Sequence, residues 1–338
     1  MAMVTRIRSP HTARLRQRKK RRSRLTWMAI LLCGVFLYGI SGVVERLPES
    51  EEPELYSGRT VQVYNMETAQ LMTLDLEQYL TGVVAAEMPA SFDVEALKAQ
   101  AVAARTFTVS RMANPNPHVT ALDSHAQLST NPQTCQAWIS DAEQKKRWGK
   151  NYKNYHRKIV QAVSATAGEV LRYDGVLIEP LYHASCGGGR TEDAEEVWGN
   201  AKPYLVSVAC NHSTDPHTGA QTTMSLQQME QKMGVDGVAA VGNFGDFMQL
   251  LSSTASDRVK SLRIGNETFS GTQLRSALGL KSSLVSWEID GDEITFTTNG
   301  YGHGVGLCQY GANYYAEQNN TYQQILSRYY PGTQLSKE

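Results

Sequence analysis

Gly82-Val-Val-Ala-Ala-Glu-Met-Pro-Ala-Ser-Phe-Asp-Val-Glu-Ala-Leu-Lys-Ala-Gln-Ala-Val-Ala-Ala-Arg105 sets one carboxylate, Glu87, at the end of an apolar helical stretch. Proline disfavours helical geometry in the residue before it, so Met88-Pro89 predicts that a helix over 74–87 stops there. Ser91 or Asp93 is suited to cap a new helix. On that second helix Lys98 and Arg105 are seven residues apart and share a face. A lone acid at a helix break, beside a helix presenting two cations, reads as a site. The plain alternative is a surface Glu at a helical turn.

The formal net charge is zero, but the charge is segregated. Ten Lys or Arg and no acid precede Leu25, which leaves 23 of the 33 Lys and Arg against all 33 acids, a balance of about −10 for the rest. Between the zones, Thr26 to Val44 is an uncharged, mostly apolar run of 19 residues, long enough to cross a bilayer. The basic flank then lies in the cytoplasm and the remainder outside, as a single-pass protein of the cell membrane. A cleaved signal peptide competes, but the run is longer than a usual h-region and no small-x-small site follows. The Lys/Arg cluster sets topology and meets anionic lipid; no nucleic-acid partner is expected. The chain divides into a basic arm (1–25), a transmembrane anchor (26–44), a linker (45–58) and an extracytoplasmic catalytic domain (59–338). That last part is one domain or two intimately packed subdomains.

Four cysteines, Cys135, Cys186, Cys210 and Cys308, fall outside the anchor and allow three disulfide pairings. No C-x2-C pair occurs, so the zinc signal is weak. Thr60-Val-Gln-Val-Tyr-Asn alternates like a strand. Asn114 to Cys135 reads as a long irregular connection, and Trp148 to Ala165 as a helix with a stripe at Tyr155, Ile159, Ala162 and Val163. Asp174-Gly175 between strand-like runs predicts a hairpin, and Asp290-Gly291-Asp292 a second. Short helices fit Ser225–Met233, Thr272–Leu278, Tyr310–Glu317 and Thr321–Tyr329. Hairpins and helices without a βαβ rhythm give an α+β fold, here around a cleft and preceded by one transmembrane helix.

Two glycine-rich runs complete the pattern: Tyr182-His-Ala-Ser-Cys-Gly-Gly-Gly-Arg-Thr and Asn299-Gly-Tyr-Gly-His-Gly-Val-Gly-Leu-Cys-Gln-Tyr-Gly-Ala. Neither is a phosphate loop. Glycines at a strand end let the backbone approach a ligand or another surface closely. Tyr182, His183, Ser185, Gly187, Gly188, His303 and Gln309 are therefore candidate cleft residues, with Lys98 and Arg105 in substrate or structural roles.

These blocks carry a resemblance. Val83-Val-Ala-Ala-Glu-Met-Pro-Ala-Ser-Phe with Glu95-Ala-Leu-Lys-Ala-Gln-Ala-Val-Ala-Ala-Arg-Thr, then His183-Ala-Ser-Cys-Gly-Gly, then Gly302-His-Gly-Val-Gly-Leu-Cys-Gln-Tyr-Gly-Ala, resemble the stage II sporulation protein D family, in order and over roughly 60–333. The same domain occurs in amidase enhancers. The resemblance implies a membrane-anchored lytic transglycosylase that cleaves peptidoglycan during engulfment of the forespore, with Glu87 as catalytic acid. Its implied partners are glycan strands, the membrane, a peptidoglycan amidase and other engulfment proteins. Ser185-Cys186 stands where many relatives have two serines, so Cys186 is a simple variation or half of a disulfide. Some relatives bind zinc in the middle region, where His125 and Cys135 are candidates here. No complete ligand set is visible in the sequence, and the expectation is no metal and no cofactor.

The chemistry agrees from below. Cleaving a β-1,4 glycosidic bond needs a proton on the leaving oxygen. A transglycosylase needs no second carboxylate, because the sugar's C6 hydroxyl attacks the anomeric carbon. Cations beside Glu87 would hold it ionised, which argues for Lys98 and Arg105 acting elsewhere. Three alternatives stand beside this reading. One is a muramidase, with Asp193 or Glu192 positioning a water. Another is a non-enzymatic recruiter of an amidase. The third is a cysteine hydrolase using Cys186 or Cys308 with His183 or His303. His183 and Cys186 are expected on opposite faces of a strand, and Cys308 is expected to lack a helix start that would activate it.

Overall fold

The computed structural model describes residues 57–212, 215–236 and 247–338. The arm, the anchor and most of the linker lie outside the described residues. Among the described residues no helix is long and apolar enough to cross a membrane.

Strands β1 (Thr60–Asn65) and β2 (Gln70–Asp75) form an antiparallel hairpin that runs straight into helix α1 (Leu76–Glu87). Asp75 accepts the Glu77 backbone N–H and so caps α1, which starts two residues later than 74. The helix ends at Met88, whose extended backbone (φ −121°, ψ 139°) is what Pro89 demands. Helix α2 (Val94–Ala113) is capped by Asp93. It is the central strut of the larger core, with Ala96, Leu97, Ala99, Ala101, Val102, Ala103 and Ala104 all buried. A helix buried all round cannot be read from one apolar stripe.

The connection after α2 is irregular except for one turn, α3 (Pro117–Thr120), and the two-residue strand β3 (Leu128–Ser129), which pairs parallel with β1. The expected helix over 148–165 is present from Tyr152 onward, and a further helix that was not expected precedes it. Helix α4 (Asp141–Trp148), capped by Ser140, is separated from α5 (Tyr152–Ala165) by Gly149, whose φ of 50° ends α4. Strands β4 (Glu169–Tyr173) and β5 (Val176–Leu177) form the first hairpin, with both Asp174 and Gly175 at positive φ as a type I′ turn requires. Next come β6 (Tyr182–His183), β7 (Gly189–Arg190), the single turn α6 (Ala194–Trp198) and β8 (Ala209–Cys210).

Residues 220–298 then build a second hydrophobic core of their own. Strand β9 (Ala220–Ser225) pairs with the later β14, while β10 (Met248–Ser253), β11 (Val259–Ile264) and β12 (Glu267–Ser270) form an antiparallel sheet. Helices α7 (Leu226–Met233) and α8 (Gly271–Leu278) carry capping boxes from Ser225 and Ser270. Strands β13 (Val285–Asp290) and β14 (Glu293–Thr298) are the second expected hairpin. The chain returns to the first core through β15 (Leu307–Cys308), α9 (Gln309–Glu317), α10 (Tyr322–Tyr329) and β16 (Gln334–Lys337), the last paired with β4. The fold is α+β.

Two contacts aim α1. The fully buried Arg105 makes a two-pronged ion pair with Glu77, from Nε to Oε1 (2.9 Å) and from Nη2 to Oε2 (2.7 Å). Its remaining N–H groups donate to the carbonyls of Val163 and Glu169 at 3.2 Å. One guanidinium thus joins α1, α2, α5 and β4. Near the other end of α1, Gly82 has no room for a side chain: a Cβ there would sit 2.2 Å from Trp138 Nε1. That gap lets the 136–139 segment lie against the helix, with the Ile139 N–H donating to the Gly82 carbonyl.

Arg105→Met leaves Glu77 buried without its counter-charge and should cost about 3–5 kcal/mol in urea unfolding. Glu77→Leu/Arg105→Met, with no orphaned charge, should be less destabilised than Arg105→Met alone. A double variant as unstable as the sum of the singles would show that the pair is not coupled. Gly82→Ala should lower the melting temperature by several degrees, because the added methyl meets a rigid indole at 2.2 Å and the Ile139 backbone carbonyl at 2.8 Å and not a flexible tip.

Candidate active site

Glu87, Tyr182, His183, His303 and Gln309 line one cleft of about 570 Å³, together with Gln136, Glu179, Trp198, Arg275 and Tyr301. That volume is ample for one or two sugar rings. Glu87 stands at the C-terminal end of α1. The Ala137 N–H donates to its Oε1 at 2.7 Å, and the Tyr182 hydroxyl lies 3.5 Å from the same oxygen. Tyr182 has one proton to give and a nearer acceptor, Gln136 Oε1 at 2.8 Å. With Oε1 engaged, Oε2 is the atom left to carry a transferable proton. Burial pushes the Glu87 carboxyl up to about 7, against the lowering pull of the Ala137 N–H.

The two glycine-rich runs lie side by side. Strand β15 pairs parallel with β6, setting Leu307 opposite Tyr182 and Cys308 opposite His183, and Ser185 bridges to Tyr301. Gly300, at φ 82°, makes this possible: a Cβ there would be 2.7 Å from both the Gly187 nitrogen and the Ser185 carbonyl oxygen. His183 Nδ1 is 3.0 Å from the Val305 carbonyl, so that nitrogen bears the proton, and the buried Nε2 is an acceptor with no protein partner. His303 Nδ1 accepts the Val305 N–H at 3.1 Å, which puts its proton on Nε2. The two rings thus have opposite hydrogen-bonding senses, with centroids 5.7 Å apart, and the His183 acceptor nitrogen is enclosed in the cleft wall. Burial lowers both pKa values, that of His303 to about 3, so neither ring brings a cation near Glu87 at neutral pH.

The other expected contacts are elsewhere. Of the substrate and structural roles open to Arg105, the structure shows the structural one: it is fully enclosed as the ion-pair partner of Glu77 and does not line the cleft. Lys98 binds Glu95 at 2.6 Å, and Glu95 in turn accepts the Tyr322 N–H; neither lines the cleft. Ser185 is buried, its hydroxyl donating to Asp215, while Gly187 and Gly188 take left-handed backbone to turn the chain behind the wall. Glu192 is no water-positioning base for the cleft. It is buried against Arg258 (3.6 Å) and Thr254 (2.9 Å). Asp193 caps α6. The cleft's second carboxylate is Glu179, which spacing did not single out and which is ion-paired with Arg111.

The sequence also gave no signal for Trp198 and Tyr301, both nearly half exposed at the rim, with Trp198 packed on His303 at 5.3 Å. Exposed aromatics beside a polar cleft suit the apolar face of a sugar ring. Neither Cys186 nor Cys308 lines the cleft, since both are buried. The expectation for Cys308 is corrected in one respect, since it is itself the N-cap of α9. All four described cysteines are free thiols. His125 is exposed beside Asp123, and Cys135 accepts the Ser129 N–H; among the described residues neither belongs to a cluster of three or more metal donors.

Comparison with known proteins shows the family. Residues 64–173, which hold Glu87 and both helices of its motif, match the family model described as Stage II sporulation protein (SpoIID). The stage II sporulation protein D of Bacillus subtilis (strain 168) is 41% identical over 281 residues, covering 82% of this chain and 79% of that protein. That of Bacillus amyloliquefaciens is 38% identical over 296 residues, covering 86% and 83%. A Bacillus subtilis protein named amidase enhancer is 31% identical over 311 residues, covering 76% of this chain but 40% of its own length. With such identity over most of both chains, this protein belongs to the stage II sporulation protein D family.

Proposed function

We propose that this protein is a lytic transglycosylase that cleaves peptidoglycan glycan strands during sporulation, held at the cell membrane by residues 26–44 with its cleft outside. The observation that carries the reading is Glu87: a carboxyl in a sugar-sized cleft, held by burial at about 7 and free of nearby cations. A group poised there is protonated often enough to act as an acid and ionised easily enough to act next as a base.

In this mechanism Glu87 Oε2–H protonates the glycosidic oxygen as its bond to the anomeric carbon breaks. The C6 hydroxyl of the same sugar attacks that carbon, and its proton passes to Glu87, which ends as it began. The Ala137 N–H fixes the carboxyl plane throughout. The neutral His303 meets a sugar hydroxyl, the buried His183 backs it, and Trp198 and Tyr301 meet ring faces. The other carboxylate in the cleft, Glu179, is tied to Arg111, which supports intramolecular attack over a water-activating base.

The relative named amidase enhancer supports a second role, stimulation of a peptidoglycan amidase, with the same cleft gripping the strand. Retained glycan binding without any released product would make this the primary role and would sink the enzyme reading.

Glu87→Gln should fold and bind glycan but lose cleavage by at least about a thousandfold. Wild-type kcat/KM should fall as pH rises through about 7, because the acid form is lost. Stability follows the same proton. The folded pKa exceeds the ordinary 4.5, so the favourable contribution is complete below about 4.5 and is lost between there and about 7. Glu87→Gln should therefore gain on wild type as pH rises through that window, by no more than about 3 kcal/mol before allowance for partial exposure. Flat profiles for both activity and relative stability would contradict the assignment of Glu87.

Products should end in 1,6-anhydro-N-acetylmuramic acid, one water lighter than the hydrolytic product and resistant to borohydride. Reducing ends would mean that a water is activated, with Glu179 the residue to mutate next. The assay is mass spectrometry of glycan strands digested by the purified full-length chain.

A further inference from the structure

Behind the cleft wall, three cysteines and a histidine meet without being part of the glycan chemistry. Cys186 follows the first glycine-rich run's strand, Cys210 ends β8, His212 lies two residues on, and Cys308 caps α9. All four are buried, and one donor atom from each lies within 4.8 Å of every other. We propose that Cys186, Cys210, His212 and Cys308 bind one zinc ion, a structural site that holds the two glycine-rich runs in register.

The distances fit. His212 Nε2 is 3.3 Å from Cys186 Sγ and 3.4 Å from Cys308 Sγ. In a tetrahedral site with Zn–S near 2.3 Å and Zn–N near 2.0 Å, the S···N edge is about 3.5 Å. The donor chemistry also fits: three soft sulfurs and one imidazole, with no open carboxylate, are a closed Cys₃His set. Cys308 Sγ accepts the backbone N–H groups of Cys186 and Gly311, each at 3.3 Å, and Cys210 Sγ is 3.0 Å from the Tyr329 hydroxyl. Without a cation, three thiols and an imidazole would be desolvated with only weak mutual hydrogen bonds. A dication turns that packing into coordination.

The location gives the site its purpose. Cys308 sits opposite His183 in the β6–β15 pair, and Gln309 follows it into the cleft. An ion here ties together three chain segments: the 182–190 run, the end of β8 and the start of α9. It contributes nothing to the reaction directly, so the site is independent of the proposed cleavage chemistry.

The test uses the full-length chain, purified in detergent from zinc-supplemented cells without chelator. Elemental analysis should find about one zinc per chain. Cobalt exchange should give the intense visible bands of tetrahedral Co²⁺ together with thiolate-to-cobalt charge transfer, a readout that needs no variant. Cys210→Ser and Cys308→Ser should lower bound zinc at least about fivefold, while Cys135→Ser and His125→Ala keep it. Stripping the metal should lower the melting temperature by more than about 5 °C. Wild-type chain with less than about one zinc in five chains, or a disulfide among Cys186, Cys210 and Cys308, would overturn the site. Iron in place of zinc, or metal lost with Cys135 but kept without Cys308, would overturn it equally.

Discussion

The ion pair between Arg105 and Glu77 is the constraint from which the rest of the architecture follows. A guanidinium with no access to water must have a carboxylate and carbonyls around it, and this one draws them from α1, α5 and β4. Glu77 lies in the first turn of α1 and Glu87 at its end, ten residues and about 15 Å along the axis. Anchoring one end of a rigid helix fixes where the other end delivers its carboxyl. The acid at the cleft is thus positioned by a charge pair that never meets substrate.

At the business end the design is one of withheld charge. Nothing cationic is spent on Glu87: of the two arginines that line its cleft, Arg111 is paired with Glu179 and Arg275 donates to the Lys281 carbonyl. The imidazoles are kept neutral by burial and given opposite hydrogen-bonding senses by the same residue, Val305, through its carbonyl and its N–H. A single backbone position therefore decides which ring can accept from a hydroxyl and which can donate to one. Such an arrangement depends on the two runs keeping register, which is why glycine recurs where they touch.

Local chemistry made much of this legible in sequence. Pro89 stops a helix and Asp93 starts one by interactions that span a few residues, and Asp174-Gly175 makes a hairpin for the same reason. The glycine-rich runs announced a close approach, and the acid was exposed by its isolation. What stayed hidden depends on distance along the chain. The role of Arg105 stayed open between substrate and structure because its partner is 28 residues away. Helix Asp141–Trp148 stayed hidden because it is polar, with Gln144 its one buried residue, and so shows no apolar stripe. The cysteine cluster escaped notice because its members lie 26 and 96 residues apart from the histidine, with only Cys210 nearby, so no ligand spacing repeats. The aromatic rim, Trp198 and Tyr301, belongs to turns whose direction is set by packing alone.

The segment with its own core, between the two glycine-rich runs, leaves and rejoins the chain side by side, since Ala220 pairs with Thr298. Topologically it could be a late addition, a graft exchangeable for a tight loop. Its side chains say otherwise. Arg258 reaches out of the segment to the Cys186 carbonyl at 2.7 Å and to the buried Glu192, which also takes a bond from Thr254. The host has come to rely on its guest for a counter-ion. A change in the length of the outer strands leaves that contact in place, whereas replacing Arg258 alone strands a buried carboxylate, so the graft has one stitch that ties its stability to the wall of the cleft.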